Sequence, residues 1–281
     1  MPGTLYICAT PIGNLEDITL RALRVLGEVD RIVGEDTRRT RRLLSYHGIH
    51  TPFAPSLYEG VEQERVEKVV RLLEEGENIA LVSDAGTPLV SDPGYLLVSG
   101  CVERGIPVAS IPGPSAPLAA LVASGLPTNR FLFLGALPRK AGRCRKALEQ
   151  LRGLDCTAVA LVSPHRLEET LELLVDMYPL RPLVLAREIT KVHEEYLRGT
   201  CQEVLEAFRT RQGVRGEVVL VLGADGPTAP AADPGEVKVL YQALLEQGLP
   251  PHDALRRAAH ATGLSRREAY DIVHRSDPST E

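Results

Sequence analysis

Short apolar runs bounded by turn-forming residues recur along the first 223 positions, and stretches with apolar residues at helical spacing lie between them. Ile79 to Val82 is typical of the runs, with four apolar residues in a row of the kind a strand buried on both faces of a parallel sheet presents. The same reading places strands at 4–9, 30–34, 107–111, 131–134, 157–162, 183–186, 195–198 and 217–222. Helices are expected at about 17–27, 61–76, 95–105, 118–124 and 167–177, with another beginning near 139–146. Alternation of the two periods defines an α/β protein. Gly125-Leu-Pro-Thr-Asn-Arg130 reads as a hinge, which divides the main part into an α/β domain of residues 1–124 and a second of residues 125–224. Beyond Gly223 a proline- and alanine-rich linker leads to a small all-α extension, residues 236–277, with helices at 236–247, 251–262 and 265–274. Its helix, glycine-containing turn, helix rhythm is that of a helix-turn-helix, and Ser265 with Glu268 has the spacing of a capping box.

Where several strands end, the apolar pattern stops and small polar or charged residues follow, at the edge where an open α/β sheet places its ligand crevice. The sharpest case is Ser83-Asp-Ala-Gly-Thr-Pro88. Asp84 supplies a charge, Ala85 and Gly86 leave room for close approach to the backbone, and Pro88 and Pro93 keep the loop from merging with the next helix. Taken alone, Asp-Ala-Gly is more often an ordinary strand-to-helix loop, and its company with the other strand-end motifs is what marks it. Thr10-Pro-Ile-Gly-Asn14 follows the first strand, Glu35-Asp-Thr-Arg38 the second, and Pro112-Gly-Pro-Ser-Ala-Pro117 the fourth. The last places Ser115 at a helix N-cap, where free N–H groups suit a carboxylate. Adjacent carboxylates at a strand end, Glu35 and Asp36, point to a site; the four arginines that follow serve equally as a solvated helix face or as phosphate ligands. Ser163-Pro-His-Arg166 and Arg187-Glu-Ile-Thr-Lys191 close two strands of the second half, with His165 either facing solvent or joining a cleft. Arg139, Lys140, Arg143, Arg145 and Lys146 crowd eight positions, either as a nucleic-acid footprint or as an exposed helix start.

Composition narrows the field. The 281 residues, 44% hydrophobic and 25% charged, describe an ordinary globular protein large enough for two domains. A net charge of −5 excludes a globally basic nucleic-acid binder, so any such contact is local. The five cysteines, at 8, 101, 144, 156 and 201, form no C-x-x-C pair and indicate neither a disulfide framework nor a metal site. The start of the chain has no signal-peptide pattern, and no run of about 18 apolar residues occurs, which predicts a cytoplasmic protein with no membrane partner. No G-x-G-x-x-G follows the first strand and no Walker loop is present, which removes the common dinucleotide and nucleoside-triphosphate fingerprints.

Taken together and in order, Thr10-Pro-Ile-Gly-Asn14, Glu35-Asp-Thr-Arg38, Ser83-Asp-Ala-Gly-Thr-Pro88, Ile111-Pro-Gly-Pro-Ser-Ala116, Ser163-Pro-His-Arg166 and Arg187-Glu-Ile-Thr-Lys191 resemble the tetrapyrrole-methylase superfamily, the class III S-adenosylmethionine methyltransferases. Within it they are most similar to the branch that methylates the ribose 2′-hydroxyl of a cytidine in bacterial 16S rRNA. The resemblance implies two α/β domains with S-adenosylmethionine in the cleft between them, a homodimer, and the small ribosomal subunit as substrate. Carried over, it implies cofactor contacts at Pro11, Asp84, Ala85, Gly86, Thr87, Ser115, Ala116, Ser163 and Ala186. A sulfonium cofactor has no phosphate and needs no phosphate-cradling loop, in keeping with the missing fingerprints. For the substrate, Glu35 and Glu188 are expected to orient the ribose or accept its proton, Lys191 and Arg38 to hold phosphates, and Arg139, Lys140 and Arg143 to contact RNA. Two places depart from the branch: Leu161-Val162 stands where it has Tyr-Glu, and Ser56 to Glu62 replaces a histidine-rich segment. Methylation of a tetrapyrrole or another small molecule on the same fold stays open, as does a non-enzymatic nucleic-acid binder that reads through its tail. The acidic net charge and the paired carboxylates count against the binder.

Overall fold

A computed structural model describes residues 1–56, 62–211, 216–225, 234–262 and 266–274. The chain forms two compact units, Met1–Arg152 with Cys156–Gly223 and Gly153–Asp155 with Ala224–Glu281. The larger unit holds two sheets. The first is built from β1 (Leu5–Cys8), β2 (Arg31–Val33), β3 (Ile79–Leu81) and β4 (Val108–Ile111), all parallel and in the order β2-β3-β1-β4. Its helices are α1 (Leu20–Glu28), α2 (Thr37–Tyr46), α3 (Glu62–Glu74), α4 (Tyr95–Glu103) and α5 (Ala116–Ser124). The unbroken apolar run of β3 has a direct cause. Ile79 and Leu81 face a core with Leu73 and Leu97, while Ala80 and Val82 face the opposite core with Leu26 and Ile32, so neither side of the strand meets water. Each such buried leucine or isoleucine contributes about 1.5–3 kcal/mol.

The helix expected at 17–27 is divided. Asn14 caps a single 3-10 turn, Leu15–Asp17, and α1 starts afresh because the Thr19 hydroxyl accepts the Ala22 N–H at 3.1 Å.

The second sheet consists of β5 (Phe131–Ala136), β6 (Thr157–Val162), β7 (Pro182–Arg187), β8 (Glu195–Thr200) and β9 (Val218–Leu222), in the order β5-β6-β9-β7-β8. β5 and β6 are parallel, β9 runs antiparallel to both β6 and β7, and β8 runs antiparallel to β7. α6 (Ala141–Glu149), α7 (Leu167–Met177) and α8 (Cys201–Arg209) accompany it. α8 was not expected from the pattern. It begins where β8 ends with no intervening turn, fixed by a capping box in which Thr200 and Glu203 exchange hydrogen bonds. α5, which precedes the expected hinge, packs Ala120 and Leu121 with Val159, Val184 and Val219 of the second sheet.

In the smaller unit α9 (Pro234–Glu246), α10 (Pro251–Ala261) and α11 (Arg266–His274) share a core of Val237, Tyr241, Ala254, Leu255, Ala258 and Ala269. The Ser265–Glu268 capping box and most of the linker lie outside the described residues, as do 57–61 of the departing segment. Among the described residues no helix is long and apolar enough to cross a membrane.

Candidate functional site

Because β3, β1 and β4 are neighbours and parallel, their following loops emerge side by side, and short hydrogen bonds lace them together. Thr10 and Gly86 exchange backbone bonds at 2.8 and 3.0 Å. The Thr10 hydroxyl donates to the Ser83 carbonyl at 3.2 Å, and the Thr87 hydroxyl to the Pro114 carbonyl at 2.9 Å. β2 is tied in by Asp84, whose Oδ1 accepts the Asp36 N–H at 3.0 Å and whose Oδ2 lies 3.5 Å from Arg39 Nη1. Gly86 stands at φ 83°, a conformation side chains disfavour, which keeps the loop flat against Ile12. Residues 83–87 are thus the knot of four loops, and Asp84 acts as a clasp as well as a charge.

The second sheet supplies a matching loop. Glu188 Oε1 accepts Lys191 Nζ at 2.9 Å and the Glu217 N–H at 3.2 Å, which joins the end of β7 to the start of β9. A Cβ on Gly216 would overlap the Glu188 carboxylate, so this approach requires glycine. Among the described residues the non-glycine positions with positive φ are Leu89, Ser91, Glu188 and Thr190, all in these two loops. Held strain of this sort, on the order of 1–3 kcal/mol each, collects at functional sites.

Between the loops lies a cavity of 610 Å³, within the roughly 300–1,000 Å³ range of small-molecule sites. Asp84, Ala85, Gly86, Thr87, Asp92, Ser115 and Ala116 line it from the first half. From the second come Leu137, Arg139, Leu161, Ser163, Lys191 and Glu217. Ser115 is the N-cap of α5, but its side chain makes no capping bond, so the first N–H groups of that helix are left to a ligand. A carboxylate, a helix N-terminus and apolar walls from Ile12, Val90, Leu137 and Val219 fit a group that combines an amino-acid end, hydroxyls and a flat ring.

The carboxylates are tuned in opposite directions. Burial, then the charges of Asp84 and Asp92, push the Glu35 carboxyl up. Burial does the same for Asp92. The Arg38 side chain and backbone pull Asp36 down to about 2, and Lys191 holds Glu188 below the usual carboxylate range. Burial pushes the thiols of Cys8 and Cys201 up to about 12, which leaves them inert at neutral pH.

The expected residues divide as follows. Asp84, Ala85, Gly86, Thr87, Ser115, Ala116, Ser163, Arg139 and Lys191 meet at the cavity. Pro11 lines a smaller neighbouring pocket, and Ala186 is fully buried in the core beneath. Glu35 and Glu188 are not lining residues, though Glu35 feels Asp84 and Asp92 and Glu188 holds Lys191 in place. Arg38 points outward and spends its fork on Asp36 at 3.1 and 2.9 Å. Lys140 and Arg143 are exposed and, among the described residues, form no ion pair; His165 is exposed. Asp92, Gly216 and Glu217 were not expected at the site, and Arg39 was expected only as one of the four arginines after Asp36. Asp92 carried a signal, a second carboxylate set before a proline in the same loop.

The sequence profile of the tetrapyrrole (corrin/porphyrin) methylases matches residues 4–205, and the chain belongs to that family. A Halalkalibacterium halodurans protein named ribosomal RNA small subunit methyltransferase I is 40% identical over 97% of this chain and 95% of its own length. A protein of the same name from Thermotoga maritima is 44% identical over 78% of this chain and 98% of its own length, so part of this chain has no counterpart there. Among solved structures, uroporphyrin-III C-methyltransferase from Thermus thermophilus complexed with S-adenosylhomocysteine has the same fold. It is 22% identical, with a TM-score of 0.54 over 79% of this chain and 97% of that one.

Proposed function

We propose that this protein transfers a methyl group from S-adenosylmethionine to the 2′-hydroxyl of a cytidine in the 16S rRNA of the small ribosomal subunit. The observation that carries the reading is the laced cavity, with its carboxylate, open helix start and lining Arg139, in a chain similar over its length to proteins named for small-subunit rRNA methylation. Bound S-adenosylmethionine supplies a methyl on a sulfonium, an electrophile that needs only an aligned nucleophile. Asp84, Ala85, Gly86, Thr87, Ser115, Ala116 and Ser163 would hold it. Ala186 packs beneath them in the same core as Ile12 and Ala116, and Pro11 follows Thr10, which pairs with Gly86.

A ribose hydroxyl is a poor nucleophile, so the protein must orient it in line and accept its proton as the bond forms. Of the two candidate acceptors Glu35 is better suited, because it sits on the loop that the Asp36 N–H ties to Asp84 of the cavity, and the burial that raises its pKa favours proton uptake. Glu188 is committed to Lys191 and to the Glu217 N–H, and serves to position that lysine toward the substrate phosphate. Exposed Val108, Leu118, Val122, Phe131 and Leu132, on the edge strands β4 and β5 and on α5, support a homodimer that covers both sheet edges. A ribosomal substrate supports a cytoplasmic location.

The test is transfer of labelled methyl from S-adenosylmethionine to purified small subunits, followed by mapping of the modified nucleoside. Label on the ribose of one cytidine is the expected result; label on a base, or none on RNA, would refute the reading.

A further inference from the structure

A second cavity, of 370 Å³, shares Arg39 and Asp84 with the large one. One wall is a single face of α2, with Arg39, Arg42, Leu43 and Tyr46 at the i, i+3, i+4 and i+7 positions of a helix. Pro11 and Leu15 of the loop after β1 form the opposite wall.

The four arginines of α2 are not equivalent. Arg38 pairs with Asp36, Arg39 faces Asp84 at 3.5 Å, and Arg41 lies over the Phe53 ring, 5.4 Å from its centroid. Of these four only Arg42 has, among the described residues, neither a carboxylate nor a ring as partner, and it lines this cavity. Tyr46 beside it is 65% exposed, its ring in a T-shaped contact with His47 and otherwise open to water, and it lines the cavity together with Leu43 and Leu15. An unpaired guanidinium and an exposed aromatic ring in a partly apolar pocket are the parts that hold one nucleotide of a single strand, by stacking its base and neutralising its phosphate. The one acidic group in the wall, Asp84, has Arg39 and the Asp36 N–H as partners, so it does not repel an incoming phosphate unopposed.

We infer that the smaller cavity seats a nucleotide of the RNA strand, its base stacked on Tyr46 and its phosphate on Arg42, adjacent to the nucleotide whose ribose enters the large cavity. The adjacency rests on the methyltransferase reading above; the nucleotide site rests on the pocket itself.

Two measurements test it: anisotropy of a labelled, pyrimidine-rich single-stranded RNA of about ten nucleotides, long enough for one such site, and steady-state methylation of small subunits. Tyr46→Ala should raise the RNA Kd and the KM for subunits roughly ten-fold, while Tyr46→Phe stays near wild type because stacking needs only the ring. Arg42→Ala should weaken binding and lower the slope of log Kd against log salt by about one. Arg41→Ala, on the Phe53 side of the helix, should change neither quantity. These side chains are exposed, so the variants keep the fold by circular dichroism, and calorimetric affinity for S-adenosylmethionine should not move. An unchanged Kd and salt slope in both alanine variants would overturn the assignment, whatever the methylation result. Equal losses in Tyr46→Phe and Tyr46→Ala would overturn stacking. If the wild-type protein bound the oligonucleotide through these residues yet transferred no label to subunits, the site would stand and the proposed reaction would fall.

Discussion

In the four-stranded sheet every strand runs the same way, so the loops after β1, β2, β3 and β4 emerge at one edge. In the five-stranded sheet β8 and β9 run against β5, β6 and β7, so the cavity edge collects three strand ends and two strand starts. The rule that ligands gather beyond strand ends therefore finds most of the site in the first half and only part of it in the second. Gly216 and Glu217 precede β9, and they reach the site because Val218 pairs with both Val162 and Arg187. The halves also treat their carboxylates differently. The parallel half crowds Glu35, Asp84 and Asp92 together and makes Glu35 a stronger base, whereas the mixed half neutralises Glu188 with Lys191 and makes it a brace.

The strongest way to break that contrast is single-turnover methylation by Glu35→Gln and Glu188→Gln across a pH series. Loss of a general base costs roughly 10²–10⁴-fold, expected for Glu35→Gln along with disappearance of a rate that climbs as the carboxyl ionises; Glu188→Gln should lose only a few-fold. Equal losses would remove the distinction. Stability should move the opposite way. Because the folded protein raises the Glu35 pKa from its ordinary 4.5, its contribution is fully present below that value and is lost as pH rises through the folded value. At pH 7 the charged group weakens the fold, and thermal unfolding of Glu35→Gln should occur at a higher Tm than wild type.

Asp84→Ala strips the Asp36 N–H of its acceptor and Arg39 of its partner. The unsatisfied N–H costs about 1–3 kcal/mol in chemical denaturation, and calorimetry should show weaker S-adenosylmethionine binding. Asp84→Asn, which keeps an acceptor, should recover most of the stability and less of the affinity; recovery of both would mean that the clasp matters and the charge does not. In the other half, Gly216→Ala imposes a left-handed conformation on a side chain, for about 1–2 kcal/mol, and pushes Glu188 off Lys191. Cofactor affinity in this variant should fall less than in Asp84→Ala, and a larger fall would reverse the ranking of the two loops. Smallest is Asp36→Asn. The Asp36 pKa is depressed from 3.8 to about 2, so its contribution is present above 3.8 and lost as pH falls through about 2. Urea denaturation between about pH 4 and 2 should show a shallower acid loss in the variant, in which asparagine keeps the N-cap bond without the charge.

Much of this was legible in the residues. β6 and α7 fall where the pattern places them, since Thr157–Val162 is apolar on both faces and Leu167–Met177 keeps helical spacing. The knot at 83–87 was marked by its abrupt change from apolar to small polar residues. Some of what stayed hidden was local, and some depended on partners distant in sequence. α8 was masked because its capping residue is also the last residue of β8. The roles of the α2 arginines could not be sorted without knowing that Asp36, Asp84 and Phe53 claim three of the four. The direction of β9, and with it the place of Glu217, is a property of pairing that apolar content does not encode.

β9 is the last strand of its sheet to be synthesised, yet it occupies the middle position. Before residues 217–222 are synthesised, β6 and β7 lack the strand that pairs with both of them, and Glu188 lacks its backbone partner at Glu217. The part of the large cavity lined by Gly216, Glu217, Val218 and Val219 is therefore the last to be supplied in synthesis. Arrested chains ending shortly before β9 should fail to retain S-adenosylmethionine, whereas chains extended past Gly223 should retain it; retention by the shorter chains would show that the first sheet suffices.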